Sequence, residues 1–205
     1  NIPFWEDFDV TPKVYYVSPD GIDDQTKGTQ LAAPFKTIKF ACDFINSDLA
    51  ARSPATVFIK TGLYQEILPI TVPRDTALVG DELRSTEVKP AAGYETSNMF
   101  YVNNGSGMSL SGLSGTLGPI NEYGTKRPTG GAFVSLNPGS GASDAAAWIT
   151  TRSCYVQNVS TFGTGCVGLK VDGDLHNGGN RSIVANDFTQ VIDQGIGIHK
   201  NDINK

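Results

Sequence analysis

Charge is scarce in this chain. Asp, Glu, Lys and Arg make up 18 % of its 205 residues, and the formal net charge is −5. The 16 basic residues are scattered rather than clustered. That excludes nucleic acid as the main partner, because phosphate recognition needs concentrated Lys and Arg. Histidine is reduced to His176 and His199, and cysteine to Cys42, Cys154 and Cys166, with no Cys-x-x-Cys pair. Two histidines about one structural repeat apart do not make a metal centre without further ligands, so neither a metal nor another cofactor is expected. The cysteines read as three buried thiols acting as small apolar side chains; a Cys154–Cys166 bridge is the alternative in an oxidising setting. No apolar run reaches the roughly 18 residues that span a bilayer, so no membrane insertion is expected. No signal peptide is visible. The chain opens on Asn1 rather than Met, as a processed or excised piece would.

Helical periodicity is also scarce. One segment, near Phe35–Leu49, carries it: Phe35, Ile38, Ala41, Cys42 and Ile45 fall on one helical face. What fills the rest is short strands. Val14–Ser18, Val57–Lys60, Ile67–Val72, Ala77–Val79, Met99–Val102, Ser109–Leu113, Ala132–Leu136, Tyr155–Val159, Val167–Val171 and Ser182–Asn186 are β-branched or aromatic runs. The 23 glycines, with Asn, Asp, Pro and Ser, separate them. Val57 to Val79 is 22 residues and Val79 to Val102 is 23, the length of one coil of three strands and three corners. Later spacing loosens, as corner insertions would make it.

This pattern predicts an all-β chain folded as a right-handed parallel β-helix, with the helix at about 34–50 capping its first coil. Uncapped coil ends expose strand edges and apolar surface. Protruding loops are expected at about 115–131 and 138–143, where Gly, Pro and Ser dominate. Asn103, Asn104, Asn158 and Asn186 suit coil corners. Residues 1–13 lack clear alternation and concentrate Phe4, Trp5 and Phe8 among acidic residues. They read as an arm that docks, through those aromatics, on the body of this chain or on a neighbour. One β-helix domain, 14–205, follows.

Tyr16-Val17-Ser18-Pro19-Asp20-Gly21 followed by Pro34-Phe35-Lys36-Thr37-Ile38 resembles the N-terminal start of pectin-lyase-like parallel β-helix proteins. Gly62-Leu63-Tyr64-Gln65-Glu66 and Val79-Gly80-Asp81 resemble the first two coils of the same fold. Cys154-Tyr155-Val156-Gln157-Asn158-Val159-Ser160 and Gly165–Gly173 resemble virion structural proteins of T-even-like tailed phages that infect cyanobacteria. The resemblance covers roughly residues 14–199. It implies a particle component of tail, baseplate or fibre type, located in the virion, with other virion proteins as partners and a homo-oligomer, a trimer among the options. It carries over no catalytic residue.

The sharpest ionisable cluster is Asp172, Asp174 and His176 in Val-Asp-Gly-Asp-Leu-His, with Arg181 nearby. Paired carboxylates on a Gly-rich corner are able to bind Ca²⁺ or to act as acid and base on a polysaccharide. Asp-Gly-Asp and Asn-Gly-Gly are equally ordinary turn sequences, and the turn is the favoured reading. Asp20, Asp23 and Asp24 form a second acidic loop without the EF-hand pattern, read as a solvated turn. Tyr94, Tyr101, Tyr123, Phe133, Trp148 and Tyr155 are able to stack on sugars, though most fit an interior better; Tyr123 and Trp148 remain as carbohydrate candidates. Two functions follow: a non-enzymatic virion rod, and, as the alternative, a tailspike that binds or cleaves cell-surface polysaccharide as a lyase or glycoside hydrolase, which would be extracellular.

Overall fold

A computed structural model of the chain describes residues 12–47, 54–103, 108–117, 131–137, 149–158, 167–171, 186–191 and 194–198. The chain enters strand β1 (Lys13–Val17), crosses a long loop to helix α1 (Ile38–Ser47), and then runs through thirteen further strands. These are β2 (Ala55–Ile59), β3 (Gly62–Glu66), β4 (Ile70–Thr71), β5 (Thr76–Gly80), β6 (Thr86–Pro90) and β7 (Phe100–Asn103). They continue as β8 (Met108–Ser111), β9 (Ser114–Leu117), β10 (Ala132–Asn137), β11 (Ile149–Asn158), β12 (Val167–Val171), β13 (Asn186–Val191) and β14 (Gln194–Ile198).

Every ladder between these strands is parallel, and from β2 to β8 each strand pairs with the one three places on. The first sheet runs β1-β2-β5-β8 into the first half of β11. The second runs β3-β6-β9 into the second half of β11. The third runs β4-β7-β10-β12-β14. β13 lies beyond β11, with a register shift between Thr151 and Cys154. Parallel strands cannot be joined by a hairpin, and here the return path is made by the other two sheets. This arrangement, all β with parallel sheets and one described helix, fits a parallel β-helix.

Alternation along each strand selects what goes inside. In β2, Ala55, Val57 and Ile59 are buried while Phe58 is exposed. Register then stacks inward positions from turn to turn: Tyr15, Val57, Leu78 and Leu110 in the first sheet, and Ile70, Phe100 and Val134 in the third. All seven are buried. Full burial of one such side chain contributes about 1.5–3 kcal/mol. In the second sheet the corresponding row is Tyr64, Val88 and Gly115. The missing side chain at Gly115 leaves room for the Phe133 ring and the Met99 sulfur, which an added Cβ would meet at 2.5 and 2.9 Å.

Helix α1 forms where the sequence puts it, and Ile38, Ala41, Cys42 and Ile45 are all fully buried. It packs against β1, β3 and β4, over the first strands of the second and third sheets. The helix expected at 34–50 is described as Ile38–Ser47, starting four residues later; residues 48–50 lie outside the described residues.

Several expectations need correction. Lys13, expected in the arm, is the first residue of β1 and donates its N–H to Pro54 O at 2.9 Å. Gly115, Thr116 and Leu117, at the start of the expected loop 115–131, belong to strand β9. Residues 118–130 and 138–143 lie outside the described residues. The 22- and 23-residue spacing is not the structural repeat. Val57 pairs with Leu78, not Val79. Val102 lies in the third sheet while Val79 lies in the first. Similar side chains recur on all three sheets, so counting valines mixes them.

Candidate functional site

The described residues carry two places where side-chain chemistry is concentrated, and both lie at the N-terminal end of the stack. The first is the start of α1. A helix leaves its first N–H groups without intrahelical partners, and α1 has no acidic residue in its own first turn. The acids come from elsewhere. Glu66, at the end of β3, points inward and is 1 % exposed. Its Oε1 accepts from Ile38 N–H at 2.7 Å and its Oε2 from Lys39 N–H at 3.1 Å. Thr37 Oγ1 accepts from Phe40 N–H at 3.1 Å, in the manner of an N-cap. Asp23, in the loop, accepts from Lys36 N–H at 2.8 Å, Thr37 N–H at 2.9 Å and the Thr37 hydroxyl at 2.8 Å. The helix is thus pinned to the first turn by Glu66 and to the preceding loop by Asp23.

Burial pushes the Glu66 carboxyl up to about 7, against the pull of the two helix N–H groups and with Asp23 adding to the rise. Beside it, burial also pushes the pKa of the Cys42 thiol and the Tyr64 phenol well above their ordinary values. Cys42 and Cys154 are free, buried thiols; Cys166 lies outside the described residues. The Asp20–Asp24 loop divides in role. Asp24 behaves as the sequence suggests, accepting from Thr26 N–H and Oγ1 at 2.7 and 2.6 Å in a local Asx turn. Those bonds hold its carboxyl below the usual range. Asp23 is a long-range strut instead.

The second place is on the outer face of the first sheet. Register aligns Tyr16, Phe58, Val79 and Ser111 on that face. Tyr16 and Phe58 stack with ring centroids 6.1 Å apart and an interplanar angle of 22°. They line a cleft of about 530 Å³. Leu31 and Pro34 from the loop before α1 complete it, with Lys60 and Asp81 from the turns after β2 and β5. Phe58 is 44 % and Leu31 71 % exposed. The loop is held to β1 through Tyr16 N–H to Gly28 O, Phe35 N–H to Tyr16 O and Ser18 N–H to Phe35 O, each 2.8–2.9 Å. Gly28 is required there: its φ is +85°, and a Cβ would fall 2.0 Å from the Phe35 ring.

The site residues singled out from sequence are not in either place. Asp172, Asp174 and His176, Tyr123 and Trp148, and Phe4, Trp5 and Phe8 all lie outside the described residues. Of the other aromatics, Phe133 is fully buried and Tyr94 packs against the core. Among the described residues no group of three or more His, Cys, Asp or Glu is placed to hold a metal ion, and no helix is long and apolar enough to cross a membrane. Sequence reading missed both Glu66 and the Tyr16–Phe58 pair. The available signal for Glu66 was its place two residues after Tyr64, on the inward side of a five-residue strand.

None of the family models matches the chain, and no curated protein matches it. Among solved structures, pectin methylesterase PemA from Erwinia chrysanthemi is similar, at 16 % identity over 77 % of this chain and 54 % of its own, with a TM-score of 0.34. The chain spans about half the length of that structure, and the superposition is too loose to carry an argument about fold or activity.

Proposed function

We propose that the chain is a non-enzymatic structural protein: a right-handed, pectin-lyase-like parallel β-helix that serves as a rigid rod in the tail, baseplate or fibre of a phage particle, joined to other virion proteins and to copies of itself. The observation that carries this reading is the use made of Glu66. A buried carboxyl with a raised pKa is often a catalytic acid, but this one spends both oxygens on the N–H groups of the capping helix. Asp23 is likewise taken up by backbone and hydroxyl donors. These groups hold an end cap onto a stack of parallel sheets, which is what stiffness requires. The particle context rests on the resemblance of Cys154–Ser160 and Gly165–Gly173 to virion proteins.

The alternative, a polysaccharide-binding or -cleaving tailspike, draws support from one feature: an outward stacked aromatic pair beside an open cleft suits a sugar ring. Incubating the purified chain with acidic and neutral surface polysaccharides separates the two. The expected result is release of neither reducing ends nor unsaturated products. Release of either overturns the structural reading and makes Asp172 and Asp174 the first residues to substitute.

A further inference from the structure

The outer cleft holds the exposed side chains of Phe58 and Leu31, and the sequence before β1 concentrates apolar residues. We propose that the cleft is the seat of the chain's own residues 1–11, which turn back at Pro12 and lie over Tyr16, Phe58 and Leu31. The inference is independent of where the rod is used.

Three observations carry it. The first is reach. Segment 1–11 joins the described structure at Pro12, directly before β1, and extended chain covers about 3.3–3.6 Å per residue, or roughly 36–40 Å for this length. Returning along the five residues of β1 needs only about 17 Å. The second is composition. Ile2, Phe4, Trp5, Phe8 and Val10 crowd into this short segment, and the cleft leaves Phe58 and Leu31 in water. Exposed apolar surface of this kind marks a contact site. Because the two are covalently joined, the segment is present at millimolar effective concentration, and modest contacts suffice to seat it. The third is charge. The segment has Glu6, Asp7 and Asp9 and no Lys or Arg. Lys60 lines the cleft and Lys13 stands where the segment leaves β1; Asp81, also in the lining, is the one opposing charge.

The test is fluorine NMR of the full chain labelled with fluorotryptophan. There are two tryptophans, Trp5 and Trp148, so Trp5→Phe assigns the Trp5 line by its loss. In the native chain that line is expected to be displaced from its position in the urea-unfolded chain. Phe58→Ser and Leu31→Ser, both at exposed positions, are each expected to return it to the unfolded position. Leu63→Ser, half-exposed on the second sheet, should leave it in place. Far-UV circular dichroism confirms that each variant is folded. A Trp5 line already at the unfolded position in the native chain, or one that neither cleft variant moves, overturns the proposal. So does a displacement that vanishes on dilution, which would give the cleft to the segment of a second copy.

Discussion

Glu66 answers two demands at once: the donors at the start of α1 need acceptors, and the strand that supplies them is closed off from water. The cost shows in its acidity. The ordinary value of 4.5 rises to about 7 in the folded chain. Between those values the folded state keeps a proton that the unfolded chain has released. The stabilising contribution is therefore whole below about 4.5, falls as pH rises through the window, and is gone above about 7. At 1.36 kcal/mol per pH unit the fall is on the order of 3 kcal/mol. Glu66→Gln keeps one acceptor oxygen and cannot ionise. Urea unfolding across this window is expected to show the fall in the parent chain and its loss in the variant; an unchanged slope would assign the effect to another group. Nothing in the sequence around Glu66 announces this role, because its partner N–H groups lie 27 and 28 residues away. Cys42 is the contrary case, since its place on an apolar helical face made its burial legible at once.

At the scale of elements, legibility followed the outward-facing residues. α1 and the strands of the first and third sheets as far as β12 were visible because their apolar periodicity is strong; β14 was not read, and the strand expected at Ser182–Asn186 shares only Asn186 with β13. The second sheet was largely missed. β3 is Gly-Leu-Tyr-Gln-Glu, β6 is Thr-Glu-Val-Lys-Pro and β9 is Ser-Gly-Thr-Leu, so each reads as a turn or a polar linker. Apart from Leu63, their outer face is polar: Glu87 pairs with Lys89 at 3.2 Å and accepts a hydrogen bond from Thr116 Oγ1. What makes them strands is the register of their neighbours. Gly115 is the sharpest example, a strand residue without a side chain whose space belongs to Phe133 of β10. Gly115→Val is expected to destabilise by about 1–3 kcal/mol through overpacking, and Phe133→Ala by about 3–5 kcal/mol through the cavity it leaves. Combined, they should cost less than their sum, because each relieves the defect made by the other. Denaturant unfolding of the four proteins measures this coupling, and simple additivity would mean that the two positions do not share one space.

For the whole molecule, the question is whether the core seen in the first turns continues through the last described ones. The backbone register carries the inward row of the third sheet that far. Val102, Leu136, Val171 and Ile198 are successive partners across the third sheet, and the first two are completely buried. The strand at 167–171 was legible from its β-branched residues, but the row it joins was not, because the turns between partners differ in length. Parallel register supplies the alignment that residue counting could not. Val171 therefore tests the continuity of the stack better than any residue near the cap. An unpaired carboxylate left in a core costs on the order of 3–5 kcal/mol, a large share of the roughly 5–15 kcal/mol that holds a domain folded. If the row is one core, Val171→Asp should abolish or sharply lower the cooperative thermal transition, as Leu136→Asp should. If Val171→Asp melts like the parent chain while Leu136→Asp does not, the packed interior ends before the fourth turn, and the later strands belong to a separate, weaker unit.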